Sequence, residues 1–372
     1  MSGSPTLLSV VVPAHNASGV LERALTALAA STLPRTQWEL VVVDDGSSDD
    51  TATLAARFAD VVVRIPGRPH GPAYARNRGV ESSRGDVVVF IDSDCVVHAD
   101  TLQRFWDAFQ RDETVGAVFG SYDDTPVALG VMSQYRNLIH HYVHHQNAGD
   151  VETFWAGAGA VRRDVFVNAG MYDEWHFARP QIEDIELGAR IRAGGYRILL
   201  DPAIQVTHLK RWTLLAVIRT DVKDRGIPWA RLLAHRGAVL STKTLNLRWT
   251  EKVITALVWA AAVLLLSSAI VGSRRLLLAA GGCLAGAILL NAPVWRFFMR
   301  QRGVWFTIQI LPAHLLYYLL NGISLGVGLM LQQLVGAPIP DPTVEAYSEV
   351  GVKRWPPIPA RNRPSSWTAN EP

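Results

Sequence analysis

The sequence predicts an α/β protein: a mostly parallel sheet with helices on both faces, followed by an α-helical membrane domain. Three observations carry this. Short apolar runs alternate with helix-period segments through the first quarter of the chain. The apolar runs end in polar or acidic clusters. Beyond about residue 250 the chain turns into long, nearly charge-free apolar stretches. Alternating strands and helices imply parallel βαβ units covered on both faces.

Leu7 to Val12 is a buried-strand run ended by Pro13, too short for the apolar core of a secretory signal. Val20, Leu21, Ala24, Leu25 and Leu28 recur at helical spacing, and the helix closes near Thr32-Leu-Pro34. A second strand, Glu39 to Val43, leads into Asp44-Asp45-Gly46-Ser47. Asp49 or Asp50 is placed to cap a helix with Leu54, Ala55 and Phe58 on its apolar face. Val61–Ile65 reads as a third strand, Pro72 to Ser82 as a helix and Asp86–Ile91 as a fourth strand. In such sheets the ligand lies beyond the carboxyl ends of the strands. Pro13-Ala14-His15-Asn16, Asp44-Asp45 and Asp92-Ser93-Asp94 all fall at those ends, so fold logic puts them in one crevice.

Length and composition bound the rest. The 372 residues suffice for about two domains. Formal net charge is +3, which argues against a polyanion binder, and no nucleic-acid partner is expected. Two cysteines, Cys95 and Cys283, give no disulfide framework, so a reducing compartment is the default for the soluble half. Mean hydropathy is +0.13, and the apolar excess concentrates in Val253–Val271, Leu276–Val294 and Val304–Leu334, with Pro312 as an expected kink. A bilayer core needs ~20 apolar residues per helix, so about three spans are expected at 252–272, 276–294 and 304–334, the second being short, with a re-entrant segment as its alternative. Lys243, Arg248 and Lys252 precede the first and Arg296, Arg300 and Arg302 the third. This favours a multi-pass protein of the inner or plasma membrane with its N-terminal domain cytoplasmic. Arg274 and Arg275, in the outer loop, point mildly the other way. The resulting organisation is 1–212 α/β domain, 213–250 interfacial helices, 251–335 transmembrane helices and 336–372 a Pro-rich polar tail.

Asp92 and Asp94 carry the chemistry. Carboxylate oxygens are natural ligands of Mg2+ and Mn2+. A divalent ion held there can neutralise a diphosphate, the leaving group of a nucleotide-sugar donor. Taken singly, each motif also has a plainer reading. Asp92 and Asp94 suit a solvated turn, and Asp44-Asp45-Gly46 satisfies turn chemistry. Glu183-Asp184 suits the first turn of a helix, where acids favour the dipole. His140, His141, His144 and His145 share helix faces at i, i+4 spacing, yet no neighbouring Cys supports Zn2+. A polar face or an acceptor contact is the preferred reading. Cys95 reads as a packed small hydrophobe. The stretch 213–237 mixes Leu214, Leu215, Val217, Ile218, Ile227, Trp229, Leu232 and Leu233 with Arg219, Lys223, Arg225, Arg231 and Arg236. Pro228 is expected to split it into two short helices lying at the membrane surface.

Together these residues resemble a family-2 glycosyltransferase with a GT-A fold, from about Leu7 to Trp212. The matching pieces are Val10-Val-Val-Pro13-Ala-His-Asn16, Val41-Val-Val-Asp44-Asp45-Gly-Ser-Ser-Asp49, Ala75-Arg76-Asn77-Arg78-Gly79, Asp92-Ser93-Asp94, Gly157-Ala158-Gly159, Glu183-Asp184-Ile-Glu186-Leu187 and His208. The resemblance implies the following roles. Asp45, with Asp44, reads the nucleotide base, and Pro13 and Ala14 line its pocket. Asn16, Arg76 and Ser93 lie near the nucleotide. Asp92 approaches ribose and metal, Asp94 ligates the metal, and His208 closes the metal site. Gly157 to Gly159 form a loop under sugar and acceptor, with Trp155, Glu183, Arg211 and Trp212 beside them. Asp184 is the catalytic base. Processive synthases of this family carry Gln-x-x-Arg-Trp. Here His208-Leu-Lys-Arg211-Trp212 keeps Arg-Trp but has His at the Gln position, which favours single-sugar transfer.

The expectation is thus a metal-dependent (Mn2+ or Mg2+) inverting enzyme. It moves one sugar from a nucleotide-diphosphate sugar, UDP-linked rather than GDP-linked, to a membrane lipid or lipid-linked acceptor. Alternatives are a processive synthase subunit, a sugar-nucleotidyltransferase, and a non-catalytic membrane scaffold. A nucleotidyltransferase would want a Gly-rich basic loop where Pro13-Ala-His-Asn16 stands.

Overall fold

A computed structural model describes residues 7–235, 248–336 and 338. The chain divides into two compact units. Among the described residues the first holds 7–127, 144–210 and 338, and the second holds 128–143, 211–235 and 248–336.

The first unit is built on one sheet. Its strands are β1 (Leu8–Ala14), β2 (Trp38–Asp45), β3 (Val61–Ile65), β4 (Val87–Ile91), β5 (Cys95–Val97), β6 (Val115–Tyr122), β7 (Gly149–Val151), β8 (Ala158–Arg162) and β9 (Arg197–His208). They run in the order β3-β2-β1-β4-β8-β6-β9-β5, with β7 also on β9. β3, β2, β1 and β4 are parallel, as the βαβ reading expects. The remainder is mixed: β6 and β9 pair parallel. β8 enters antiparallel between β4 and β6, and β5 and β7 pair antiparallel with β9. The sheet is therefore mixed rather than mostly parallel. Ala158 and Gly159 belong to a strand, opposite Ile91 and Phe90, and not to the loop expected from their glycines. They form a strand because β4 and β6 both lack a partner on that side and take its backbone hydrogen bonds.

Helices α1 (Ser18–Ala29), α2 (Thr51–Ala55), α3 (Pro72–Glu81), α4 (Thr101–Arg111), α6 (Arg163–Asn168) and α7 (Glu183–Ala193) belong to this unit, and α5 (Val131–Gln146) runs from the second unit into it. α1 buries Leu21, Ala24, Leu25 and Leu28, a stripe at 3.6-residue spacing, into the core that the β1, β2 and β4 valines line. Asp49, not Asp50, serves the start of α2: its carboxylate accepts from the Thr51 N–H at 3.1 Å. α3 lies close on β1 and β2 because Gly79 has no side chain; a Cβ there would collide with the Val11 and Val43 methyls. That approach brings Arg76 over the end of β4.

The second unit holds α8 (Leu214–Arg219), a π-helical stretch Thr220–Gly226, α9 (Ile227–His235), α10 (Trp249–Val271), α11 (Arg274–Leu290) and α12 (Ala292–Leu334). The stretch from Thr213 holds two short helices, α8 and α9, as expected, but Pro228 does not stand between them. It sits in the first turn of α9, directly after the π-helical stretch, where a missing N–H is tolerated. Pro312 lies inside α12, and the helical backbone breaks instead at Gly303 (φ 85°, ψ 172°). Among the described residues two helices, Trp249–Val271 and Ala292–Leu334, are long and apolar enough to cross a membrane. The 17 residues of α11 reach about 26 Å, short of a ~30 Å bilayer core. Asn291 ends α11, and its side-chain oxygen accepts from Tyr318 at 3.0 Å and lies 3.1 Å from the His314 ring. The chain continues to Tyr135, 2.9 Å from His314, and from Tyr318 to Glu251 at 2.9 Å. Arg136 and Asp221, both largely buried, pair at 2.6 Å and fix the π-helical stretch to α5. Arg236, Gly237, Lys243 and nearly all of the 336–372 tail lie outside the described residues.

Candidate active site

The strand ends converge as the apolar runs dictate. Parallel register sets Pro13 and Ala14 of β1 beside Val43 and Asp44 of β2, and Asp44 and Asp45 beside Arg64 and Ile65 of β3. The β1 and β2 ends are tied together. Asn16, in the left-handed region at φ 47°, accepts from the Ser48 N–H at 2.9 Å and donates its own N–H to Ser47 Oγ at 2.9 Å. His15 Nδ1 is 2.7 Å from the Asp45 carbonyl oxygen. Asp44 accepts from the Ser47 N–H at 3.2 Å. Asp45 is buried, and its carboxylate accepts from the His70 N–H at 2.9 Å and the Gly71 N–H at 2.7 Å. It therefore anchors the segment that leads into α3, a contact not legible from the Asp-Asp pair.

Arg76 holds the centre. Its guanidinium donates to Asp92 at 2.8 Å and to Glu183 at 3.0 Å, bridging the end of β4 and the start of α7. Arg76 and Glu183 are buried, whereas about a third of the Asp92 side chain is exposed. Burial alone would lower the Arg76 pKa, but Asp92, Tyr172 and Glu183 outweigh it and raise it, so the cation is fixed. The Asp92 N–H donates to Gly157 O at 3.3 Å, joining the acidic tripeptide to the glycine segment. Gly157 is required by Trp155, whose indole a Cβ would strike. Asp184, in the first turn of α7, accepts from the Ala156 N–H at 3.3 Å and the Ile185 N–H at 2.8 Å. It sits next in sequence to Glu183 and against the segment leading to β8.

Asp94 and His208 meet across the sheet edge. β5 pairs with β9 so that Cys95 opposes His208, and the Leu209 N–H donates to Asp94 O at 2.9 Å. This register brings His208 Nε2 to 3.5 Å from Asp94 Oδ2. Burial pushes the Asp94 carboxyl up, but the His208 hydrogen bond and charge and the nearby Lys210 outweigh it, leaving it below the usual carboxylate range. Burial first, then Asp94 and Asp92, push the Cys95 thiol well up, so it is an inert packed side chain. A carboxylate oxygen and an imidazole nitrogen 3.5 Å apart are donor types suited to Mn2+. Among the described residues no group of three His, Cys, Asp or Glu could hold a metal ion, so substrate oxygens and water would have to complete a coordination shell. Asp92 Oδ1 accepts from Arg76 at 2.8 Å.

Ser93 is half-buried beside Asp92, Arg211 is exposed, and Trp212 is half-buried. Arg211 and Trp212 belong to the second unit, where the Trp212 N–H donates to Ser133 Oγ at 2.8 Å. The histidine cluster is dispersed. His144 Nδ1 is 2.9 Å from Gly120 O in the first unit, and His141 stacks on Phe297 in the second. Sequence reasoning missed Tyr122. Its ring stacks on His208, centroids 4.3 Å apart and planes 11° apart, and meets Trp155 edge-on at 4.9 Å. Nothing in the spacing announces it.

Residues 9–168 match the family model described as Glycosyl transferase family 2. Residues 9–168 are thus similar to a glycosyl transferase family 2 domain, and the fold is GT-A-like. It is 32% identical over 108 residues to Glycosyltransferase AglE of Haloferax volcanii, covering 28% of this chain and 36% of that relative. It is 27% identical over 209 residues to Probable glycosyltransferase YdaM of Bacillus subtilis, covering 53% and 49%. Against the poly-beta-1,6-N-acetyl-D-glucosamine synthase of Staphylococcus aureus it is 26% identical over 232 residues, covering 60% and 54%. The chain thus spans from about a third to about half the length of these curated relatives. Among solved structures, the mannosyltransferase PcManGT from Pyrobaculum calidifontis, in complex with GDP-Man and Mn2+, matches with a TM-score of 0.58 at 21% identity over 87% of both chains. That likeness bears on the fold.

Proposed function

We propose that this chain is a metal-dependent inverting glycosyltransferase that transfers a single sugar from a nucleotide-diphosphate sugar to a membrane-associated acceptor, a lipid or lipid-linked glycan. The observation that carries it is the meeting of Asp94 and His208 at one sheet edge, with Asp92, Arg76, Glu183 and Asp184 tied together in the same domain. Asp94 and His208 would hold Mn2+ or Mg2+. The ion, when bound, offsets the charge that develops on the leaving diphosphate. Asp45 and Asp44, with Pro13, Ala14, Asn16 and Ser93, form the nucleotide side of the site. Asp184 takes the proton of an acceptor hydroxyl as the anomeric carbon is attacked from the face opposite the diphosphate. Trp155, Gly157, Ala158 and Gly159 floor the sugar, and Arg211 and Trp212 serve the acceptor.

A phosphate acceptor is already ionised near neutral pH and needs no base, so retention of Asp184 favours a hydroxyl acceptor. Two apolar helices of spanning length, and the exposed Leu215, Arg219, Lys223 and Arg225, support a membrane site of action with the catalytic domain cytoplasmic. UDP-sugars are favoured as donors, with GDP-sugars as the other class to test. The relationship to a polymer synthase keeps processive transfer as the second reading, against which His208 stands at the Gln position of Gln-x-x-Arg-Trp.

The test is to incubate the full-length protein in anionic lipid vesicles with a panel of UDP- and GDP-sugars and Mn2+. Released nucleoside diphosphate and label in the lipid fraction are both measured. One donor should give both signals in equal amounts. Turnover of no donor would overturn the reading, and ladders of chain length would move it to polymer synthesis.

A further inference from the structure

We propose that Tyr122 is a positioning residue that fixes the His208 imidazole for metal binding and couples it to the glycine-flanked sugar floor. The inference rests on the metal reading above. Metal-binding histidines usually hold their ring by donating the second N–H to a carboxylate, carbonyl or water. At His208 the Tyr122 ring lies flat on the imidazole face, while Asp94 Oδ2 stands 3.5 Å from Nε2.

The backbone of His208 is already placed, because β5 fixes it opposite Cys95 and the Leu209 N–H closes on Asp94 O. What remains is rotation about its side-chain bonds, and the nearly parallel Tyr122 ring at 4.3 Å removes it. Tyr122 is itself held. It ends β6 in register with Val206, and the next residue, Asp123, donates its N–H to Val206 O at 3.0 Å. The buried Asp123 carboxylate accepts from Thr207 Oγ1 and lies 3.1 Å from His98 Nε2. The strand end carrying Tyr122 is therefore clamped to the strand end carrying His208. On its other side Tyr122 meets Trp155 edge-on at 4.9 Å, and Trp155 is the side chain that excludes a Cβ at Gly157. One ring thus touches both the metal-side histidine and the segment under the sugar.

The experiment measures Mn2+ binding by electron paramagnetic resonance on the full-length protein, with Mn2+ alone and with Mn2+ plus UDP or GDP, for Tyr122→Phe, Tyr122→Leu and His208→Ala. Tyr122→Phe keeps the ring and should bind Mn2+ as the parent does. Tyr122→Leu should weaken Mn2+ by ~10–100-fold, the usual cost of losing an orienting partner. Melting of the metal-free variants reports folding, and should Tyr122→Leu fail to fold, Tyr122→Met fills the volume without a ring and carries the same expectation. A second readout is the ring-current shift of the His208 imidazole protons, present in the Tyr and Phe forms and absent in the Leu and Met forms. Parent-like Mn2+ affinity in Tyr122→Leu beside a loss in His208→Ala overturns the brace alone. Equal losses in the Phe and Leu variants overturn it as well. Parent-like affinity in His208→Ala overturns the metal reading and the brace with it.

Discussion

Replacing Arg76 by Met should unfold the first unit at a markedly lower temperature, because it strands two carboxylates around a cavity matched to a cation. The Arg76 side chain is 5% exposed and Glu183 is 7% exposed, so that pair is buried; Asp92 is 34% exposed and is partly solvated. Removing one partner of a buried pair costs ~3–5 kcal/mol, chiefly from the charge left behind. The Asp92 pair, open to water on one side, adds ~1 kcal/mol or less. Met occupies much of the aliphatic volume, so packing loss stays small beside this. A domain of about this size moves ~2–4 °C per kcal/mol, which predicts a fall in Tm of roughly 6–24 °C by differential scanning fluorimetry in detergent. Arg76→Lys, which restores a charge but not the two-pronged donor, should recover some of it. A Tm for Arg76→Met within about 2 °C of the parent would refute the reasoning that this bridge holds α7 to the end of β4.

Other expectations follow from the same contacts. Asp184→Asn should lower kcat by ~10²–10⁴-fold while nucleotide binding, read by calorimetry, is retained; near-normal kcat would point to a phosphate acceptor. Burial raises the Asp173 carboxyl, but the His176 hydrogen bond and charge win and hold it below its usual value. Its folded-state value is depressed, so its contribution is present above the unfolded value near 3.9 and is lost as pH falls through the folded value. Asp173→Asn should therefore show a shallower loss of Tm below about pH 4 than the parent, and an unchanged acid limb would remove the assignment. Changing Arg219, Lys223, Arg225 and Arg231 to Gln should raise the apparent KM for a lipid acceptor in anionic vesicles, since each basic residue near such a surface contributes ~1 kcal/mol. Donor hydrolysis without acceptor should not move.

The parallel half of the sheet was legible because β1, β2 and β4 are apolar runs with polar or acidic residues at their carboxyl ends. The antiparallel entry of β8 was not. Gly157-Ala158-Gly159 has neither alternation nor branched residues, and its strand character comes from β4 and β6 on either side. Carboxylates at the site were visible as residue types, but their partners were not: Arg76 reaches Asp92 and Glu183, 16 and 107 residues away. Tyr122 escaped for the same reason, since stacking on His208 is set by β6–β9 pairing. In the second unit, hydropathy located the apolar helices but not their breaks. Gly303 and Asn291 interrupt them.

The central claim is that Asp94 and His208 hold a divalent ion without which the donor is not cleaved. The most direct measurement is nucleoside diphosphate release from the cognate donor by the parent and by Asp94→Ala, each with Mn2+, with Mg2+ and in EDTA, beside Mn2+ binding on the same samples. The account predicts that EDTA silences the parent and that Mn2+ or Mg2+ restores it. It also predicts that Asp94→Ala, with parent-like Tm because the site is at a sheet edge, neither binds Mn2+ tightly nor turns over. Full activity of the parent in EDTA, or an Asp94→Ala protein that turns over as the parent does, would contradict it.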